Sequence, residues 1–147
     1  EAGWDAPALL GAHYHPLPRI QEGQWLANQA ATHAMIDLSD GLIQDAGHLA
    51  ESSGLGLDID PGLVPIAEDL AAFCAAHDRN APEFALSGGE DYELILALNA
   101  DDAEKVMNAF NAQFHLPLTA IGHFTTVWTG VRVGGEPPQR TGYGHFG

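Results

Sequence analysis

Positive charge is what this sequence has least of. Five Lys and Arg residues stand against 20 Asp and Glu, a formal net charge of −15 over 147 residues. Such a surface repels nucleic acid and anionic membranes, so neither is an expected partner. It also restricts any phosphate-binding role. Arg19, Arg79, Lys105, Arg132 and Arg140 are the fixed cations, so phosphate needs metal ions, backbone N–H groups or cations from another chain. Cysteine is nearly absent, and the single Cys74 excludes an internal disulfide. No apolar run approaches the roughly 20 residues of a membrane span. There is no secretory leader pattern, no repeat and no low-complexity segment. The chain does not open with methionine, so it reads as a fragment. A cytoplasmic enzyme domain is the expectation.

What is present suits one folded domain. Hydrophobic residues make up 46% of the chain, an ordinary content for a globular core. Residues 1–18 are interrupted by Pro7, Gly11, Pro16 and Pro18 and read as a linker, with a little local structure at 8–10. His13 and His15 alone make a poor zinc site. Residues 19–147 then read as the domain proper. A helix is predicted at 19–31 and a strand at 33–38. The next helix, 40–52, carries Leu42, Ile43, Ala46, Leu49 and Ala50 as its buried stripe, with Asp45 and His48 off its centre and Gly54 as its stop. A strand at 56–60 puts Asp58 and Asp60 on one face. A helix at 66–77 includes Cys74 as a core thiol. Residues 78–82 read as a polar loop. A strand at 92–98 is apolar enough for burial on both sides. A helix at 101–114, capped by Asn99, presents Ala103, Val106, Met107, Phe110 and Phe114. Strands at 117–124 and 127–133 follow across a Thr-rich hairpin region. This order predicts an α/β (α+β) fold: a layered domain with a mixed β-sheet flanked by helices.

Two stretches carry chemistry. Residues 34–42, AMIDLSDGL, place Asp37, Ser39 and Asp40 in a turn between a strand and a helix. Helix N-termini gather free N–H groups and suit anions. Paired carboxylates suit Mg²⁺, a hard cation that prefers oxygen and keeps several waters. Ser39 and Asp40 acting only as helix caps is the plainer reading, and these residues alone leave both open. Residues 86–98, LSGGEDYELILAL, put Glu90 and Asp91 directly after Gly88 and Gly89, whose freedom lets backbone approach a ligand. Asp58 and Asp60 read as a solvated turn. The chain lacks a GxxxxGK[ST] loop, the protein-kinase signatures and a GxSxG elbow.

The wording of these stretches resembles one family. IDLSDGL at 36–42, with QDAGHLAESSGLG at 44–56, is similar to the C-terminal domain of thiamine-monophosphate kinase. LSGGEDYEL at 86–94, GYGHF at 142–146 and PRIQEG at 18–23 resemble further motifs of that family in the same order. The wider superfamily includes aminoimidazole ribonucleotide synthetase, selenophosphate synthetase and a hydrogenase maturation protein. The resemblance implies the fold of the aminoimidazole ribonucleotide synthetase C-terminal domain. It implies transfer of the ATP γ-phosphoryl group to thiamine phosphate, with Mg²⁺ between the phosphates. By motif position, Asp37 and Asp40 become metal ligands and Ser39 touches ATP. Glu90, helped by Asp91, meets thiamine phosphate. Tyr143, or Phe146, packs on the substrate rings. The family's N-terminal domain supplies most of the ATP and metal site and mediates a homodimer. That domain is expected to be missing from this chain, which would leave the chain inactive alone. Two other readings remain at this stage: another ATP-dependent synthetase of the superfamily, and a non-catalytic domain that binds a ligand or partner.

Overall fold

A computed structural model describes residues 7–138 of the chain. Its organising element is α3, Leu42–Ser53, which touches both β-sheets. Leu42, Ala46, Leu49 and Ala50 recur at helical spacing and are all buried. Gly54 ends the helix in the left-handed conformation, φ 64°, as the sequence suggests.

On one side of α3 lies a two-stranded antiparallel sheet. β1, Thr32–Asp37, pairs with β3, Leu94–Leu98, and Asp37 falls opposite Leu94. Side chains alternate across this pair. Ala34, Ile36, Leu38 and Ile95 join the core with α3. Met35, Leu94, Leu96 and Leu98 face a second core with Leu26, Val106 and Phe110. That second core is formed by α2, Ile20–Ala27, and α6, Ala100–Gln113. Burial of β3 on both faces follows directly from its near-continuous apolar sequence. Asn99 caps α6, its side-chain oxygen accepting from the Asp101 N–H at 3.0 Å. Trp25 meets Phe110 and Phe114 edge-on.

On the other side of α3 lies a three-stranded mixed sheet. β2, Gly56–Ile59, runs between β4, Gly122–Thr125, and β5, Gly130–Val133. It is antiparallel to β4 and parallel to β5. The expected hairpin of the last two strands is therefore not formed, because β2 inserts between them. The mixed sheet and its flanking helices agree with the layered α/β expectation. The strands form two sheets, and the buried residues of α3 share one core with strands of both.

Three further differences have local causes. Residues read as irregular hold α1, Pro7–Tyr14, which buries no side chain. Pro7 suits the first turn of a helix, and Gly11 is tolerated within it. The polar loop at 78–82 gives way to α5, Ala81–Ser87, again with proline in its first turn. Ser87 thus closes a helix, its hydroxyl donating to the Glu83 carbonyl at 2.7 Å. The predicted 66–77 helix is shortened to α4, Glu68–Ala76. Cys74, 1% exposed, is its buried residue, as a core thiol should be. None of the helices among the described residues is long and apolar enough to cross a membrane.

Candidate functional site

The two motif stretches meet. β1 ends at Asp37, and the next residues turn sharply before α3. Beyond the β1–β3 ladder the pairing continues through loop backbone. The Leu38 N–H donates to the Glu93 carbonyl at 2.9 Å, and the Tyr92 N–H donates back to the Leu38 carbonyl at 2.8 Å. The Glu90 N–H then donates to the Ser39 carbonyl at 2.8 Å. This zip joins the SDG turn to the GGED segment.

Two glycines permit the approach. A Cβ at Gly89 would stand 2.6 Å from the Ser39 carbonyl oxygen, a backbone atom that cannot swing away. At Gly41, φ is 120° and a Cβ would meet the Ser87 and Gly88 carbonyls at 3.1 Å. Glu90 and Tyr92 adopt φ 66° and 53°, a left-handed backbone that is costly away from glycine. Such conformations persist where surrounding structure holds them, commonly at binding sites.

Neither Ser39 nor Asp40 caps α3. The N-cap position is Gly41, and no side chain bonds there. The Asp40 carboxylate instead accepts from the Gln44 side-chain amide at 3.1 Å. The turn's N–H groups are bonded too, which corrects the expectation of free donors for an anion. Ser39, Asp40 and Gly41 donate at 2.9, 3.0 and 3.2 Å to one oxygen, Oδ2 of Asp45. Asp45 is 2% exposed. Sequence reading passed over it as lying off the stripe, yet it falls three residues after Leu42 and one before Ala46, within the buried face.

The surroundings are acidic. Asp37, Glu90 and Asp91 are exposed, and Ser39 and Asp40 are half-buried. Desolvation, and then the neighbouring Glu93 charge, raise the Asp91 pKa above its ordinary value. Arg19 is bound to Glu93 by both Nε and Nη2. This bond is the main reason its pKa is raised. Arg132 lies over the Trp128 ring at 4.4 Å. His13 at the end of α1 comes within 3.9 Å of Glu90.

Asp37, Asp40, Glu90 and Asp91 each offer carboxylate oxygen, the ligand chemistry Mg²⁺ takes, but among the described residues these four do not converge as one group of ligand atoms. Asp40, Asp45 and His48 also offer ligand atoms within 4.8 Å of one another. Asp37 is outside that group. Asp45 spends Oδ2 on three N–H groups and is buried, so it supports the turn. By contrast, Asp58 and Asp60 serve loops, accepting from the Gly135 and Gly62 N–H groups at 2.9 Å. Hollows of about 520 and 440 Å³ occur on the surface, and neither is lined by a residue of the two motifs. Tyr143 and Phe146 lie outside the described residues.

A layered fold with α3 between two sheets, and acidic turns zipped together at one end, defines a class. Residues 3–134 match the family described as AIR synthase related protein, C-terminal domain, and the chain belongs to that family. Within it, the relatives are specific. The chain is 37% identical over 146 residues to thiamine-monophosphate kinase of Escherichia coli K12, covering 97% of this chain and 43% of that protein. It is 34% identical to the Aquifex aeolicus enzyme of the same name, over 95% of this chain and 42% of that protein. The solved structure of AaThiL complexed with AMPPCP and TMP superposes with TM-score 0.82 at 34% identity, over 95% of this chain and 41% of that one. The chain thus spans less than half the length of the relatives it matches.

Proposed function

We propose that this chain is the C-terminal part of an ATP-dependent kinase that phosphorylates thiamine phosphate to thiamine diphosphate. The observation that carries the reading is the zip between Ser39 and Glu90. It unites the two motifs that the resemblance assigns to metal–nucleotide and substrate recognition. The name of the Escherichia coli relative and the AMPPCP and TMP bound by AaThiL support it.

Asp37 and Asp40 would hold Mg²⁺, and Ser39 would contact ATP phosphates. Bound Mg²⁺ neutralises phosphate charge and aligns donor and acceptor, which is most of what phosphoryl transfer requires. Glu90, with Asp91, would receive thiamine phosphate, whose cationic thiazolium suits a carboxylate. Tyr143 or Phe146 would stack on its rings. This chain's own part is placement, since its motif residues are acidic and lie outside both surface hollows. An N-terminal domain would supply the opposite wall and the homodimer contact, in the cytoplasm. The 147-residue chain alone would then be inactive.

The test is thiamine phosphate binding by the full-length protein in Mg²⁺ and AMPPCP. Calorimetry should detect binding that falls at least tenfold, about 1.4 kcal/mol, in Glu90→Ala. Equal affinity in the variant would remove Glu90 from the substrate site.

A further inference from the structure

The carboxylate of Asp45 is a buried charge with an unusual set of partners. Three consecutive N–H groups, those of Ser39, Asp40 and Gly41, converge on its Oδ2 within 3.2 Å. Consecutive N–H groups turned to one point form a concavity that binds anions. Here the anion is built in, from the first turn of the following helix. Bonds from N–H to a carboxylate are stronger than neutral ones. Together they fix three successive peptide planes, and with them the directions in which Ser39 and Asp40 leave the backbone. Asp45 itself sits between Leu42 and Ala46 in the buried face of α3, so its position is set by the core.

We infer that Asp45 is a positioning residue: its carboxylate holds the 39–41 turn in the geometry that aims Asp40 and Ser39 at a metal-bound phosphate. It does not touch the ligand. A second consequence follows. The three N–H groups are already bonded, so phosphate at this turn is reached through the metal and the Ser39 hydroxyl.

The inference rests on the kinase reading for its kinetic arm and on Asp40 as a metal ligand for its Mn²⁺ arm, while the exchange arm stands apart from both. In the metal-free full-length protein, the amides of Ser39, Asp40 and Gly41 should exchange with solvent at least 100-fold slower than unstructured amides. Exchange at unstructured rates would overturn the inference. Mn²⁺ affinity, measured by electron paramagnetic resonance, should fall at least tenfold in Asp45→Asn. It should stay within twofold in Asp58→Asn, which loses a carboxylate–amide bond in β2 that does not involve the turn. Equal Mn²⁺ affinity in wild type and Asp45→Asn would overturn it, as would equal losses in both variants.

In turnover, Asp45→Asn should raise the Mg²⁺ concentration for half-maximal rate tenfold and lower kcat, with KM for thiamine phosphate within twofold. Asp45→Glu, which keeps the charge, should recover part of the loss. An unchanged Mg²⁺ requirement contradicts the inference. Should Asp45→Asn not fold, Asp45→Glu takes its place in the Mn²⁺ comparison, and the wild-type exchange result decides independently. A wild-type protein that makes no thiamine diphosphate defeats the kinase reading, while the exchange and Mn²⁺ arms still judge Asp45.

Discussion

Asp91 is held with its carboxyl pKa above the usual aspartate value, first by desolvation and then by the Glu93 charge. The folded state therefore binds this proton more tightly than the unfolded chain does. Ionisation costs stability above the raised pKa, and the cost vanishes below the ordinary value of 3.8. Asp91→Asn should raise Tm at pH 7, with the gain gone at pH 3, as thermal melts will show. A lower Tm at pH 7 would mean that the charge is stabilised by an interaction stronger than its desolvation. Asp37, Asp40, Glu90 and Asp91 stand out in the sequence as candidates because carboxylates beside Ser and Gly in turns are conspicuous. Asp45 does not. Helical periodicity tells which face a residue occupies, but not that backbone N–H groups of the preceding turn will satisfy a charge buried there. The absence of a side-chain cap on α3 was equally hidden, because SDG fits the capping pattern and only the backbone at Gly41 distinguishes the two.

At the scale of elements, long periodic segments were readable and short ones were not. The apolar stripes of α3 and α6 appear in the sequence because α3 buries six residues, and α6 buries Val106 and Phe110 one turn apart. α1 and α5 bury none, so no stripe marks them. The insertion of β2 between β4 and β5 is a long-range pairing that local pattern does not encode. The zip between the two motifs is likewise invisible until β1 and β3 are paired. Arg19, at the N-cap position of α2, clamps this arrangement through Glu93, the residue just before β3. Arg19→Ala should cost about 1 kcal/mol, near the upper range for a partly exposed ion pair. Urea unfolding at low salt checks it. The difference should shrink in 1 M NaCl, where screening weakens the pair. A difference that is the same at both salt concentrations would indicate lost packing of the arginine stem instead.

For the whole molecule, the charge of −15 is the dominant fact. Self-repulsion of that size disfavours the compact state, so Tm should rise with NaCl. If Asp37 and Asp40 bind Mg²⁺, then Mg²⁺ at matched ionic strength should raise Tm further, because a ligand of the native state adds stability by mass action. Asp40→Asn should remove that extra rise while leaving the NaCl effect. On the proposed reading, the motif carboxylates form half of a site, completed by cations and a covering wall. The proposal that this wall belongs to another part of a longer kinase is tested most directly by transfer of labelled γ-phosphate from ATP to thiamine phosphate in the presence of Mg²⁺. The full-length protein and the 147-residue chain are assayed side by side. Labelled thiamine diphosphate from the full-length protein, and none from the chain alone, is the predicted result. Turnover by the chain alone, or none by the folded full-length protein, would contradict it.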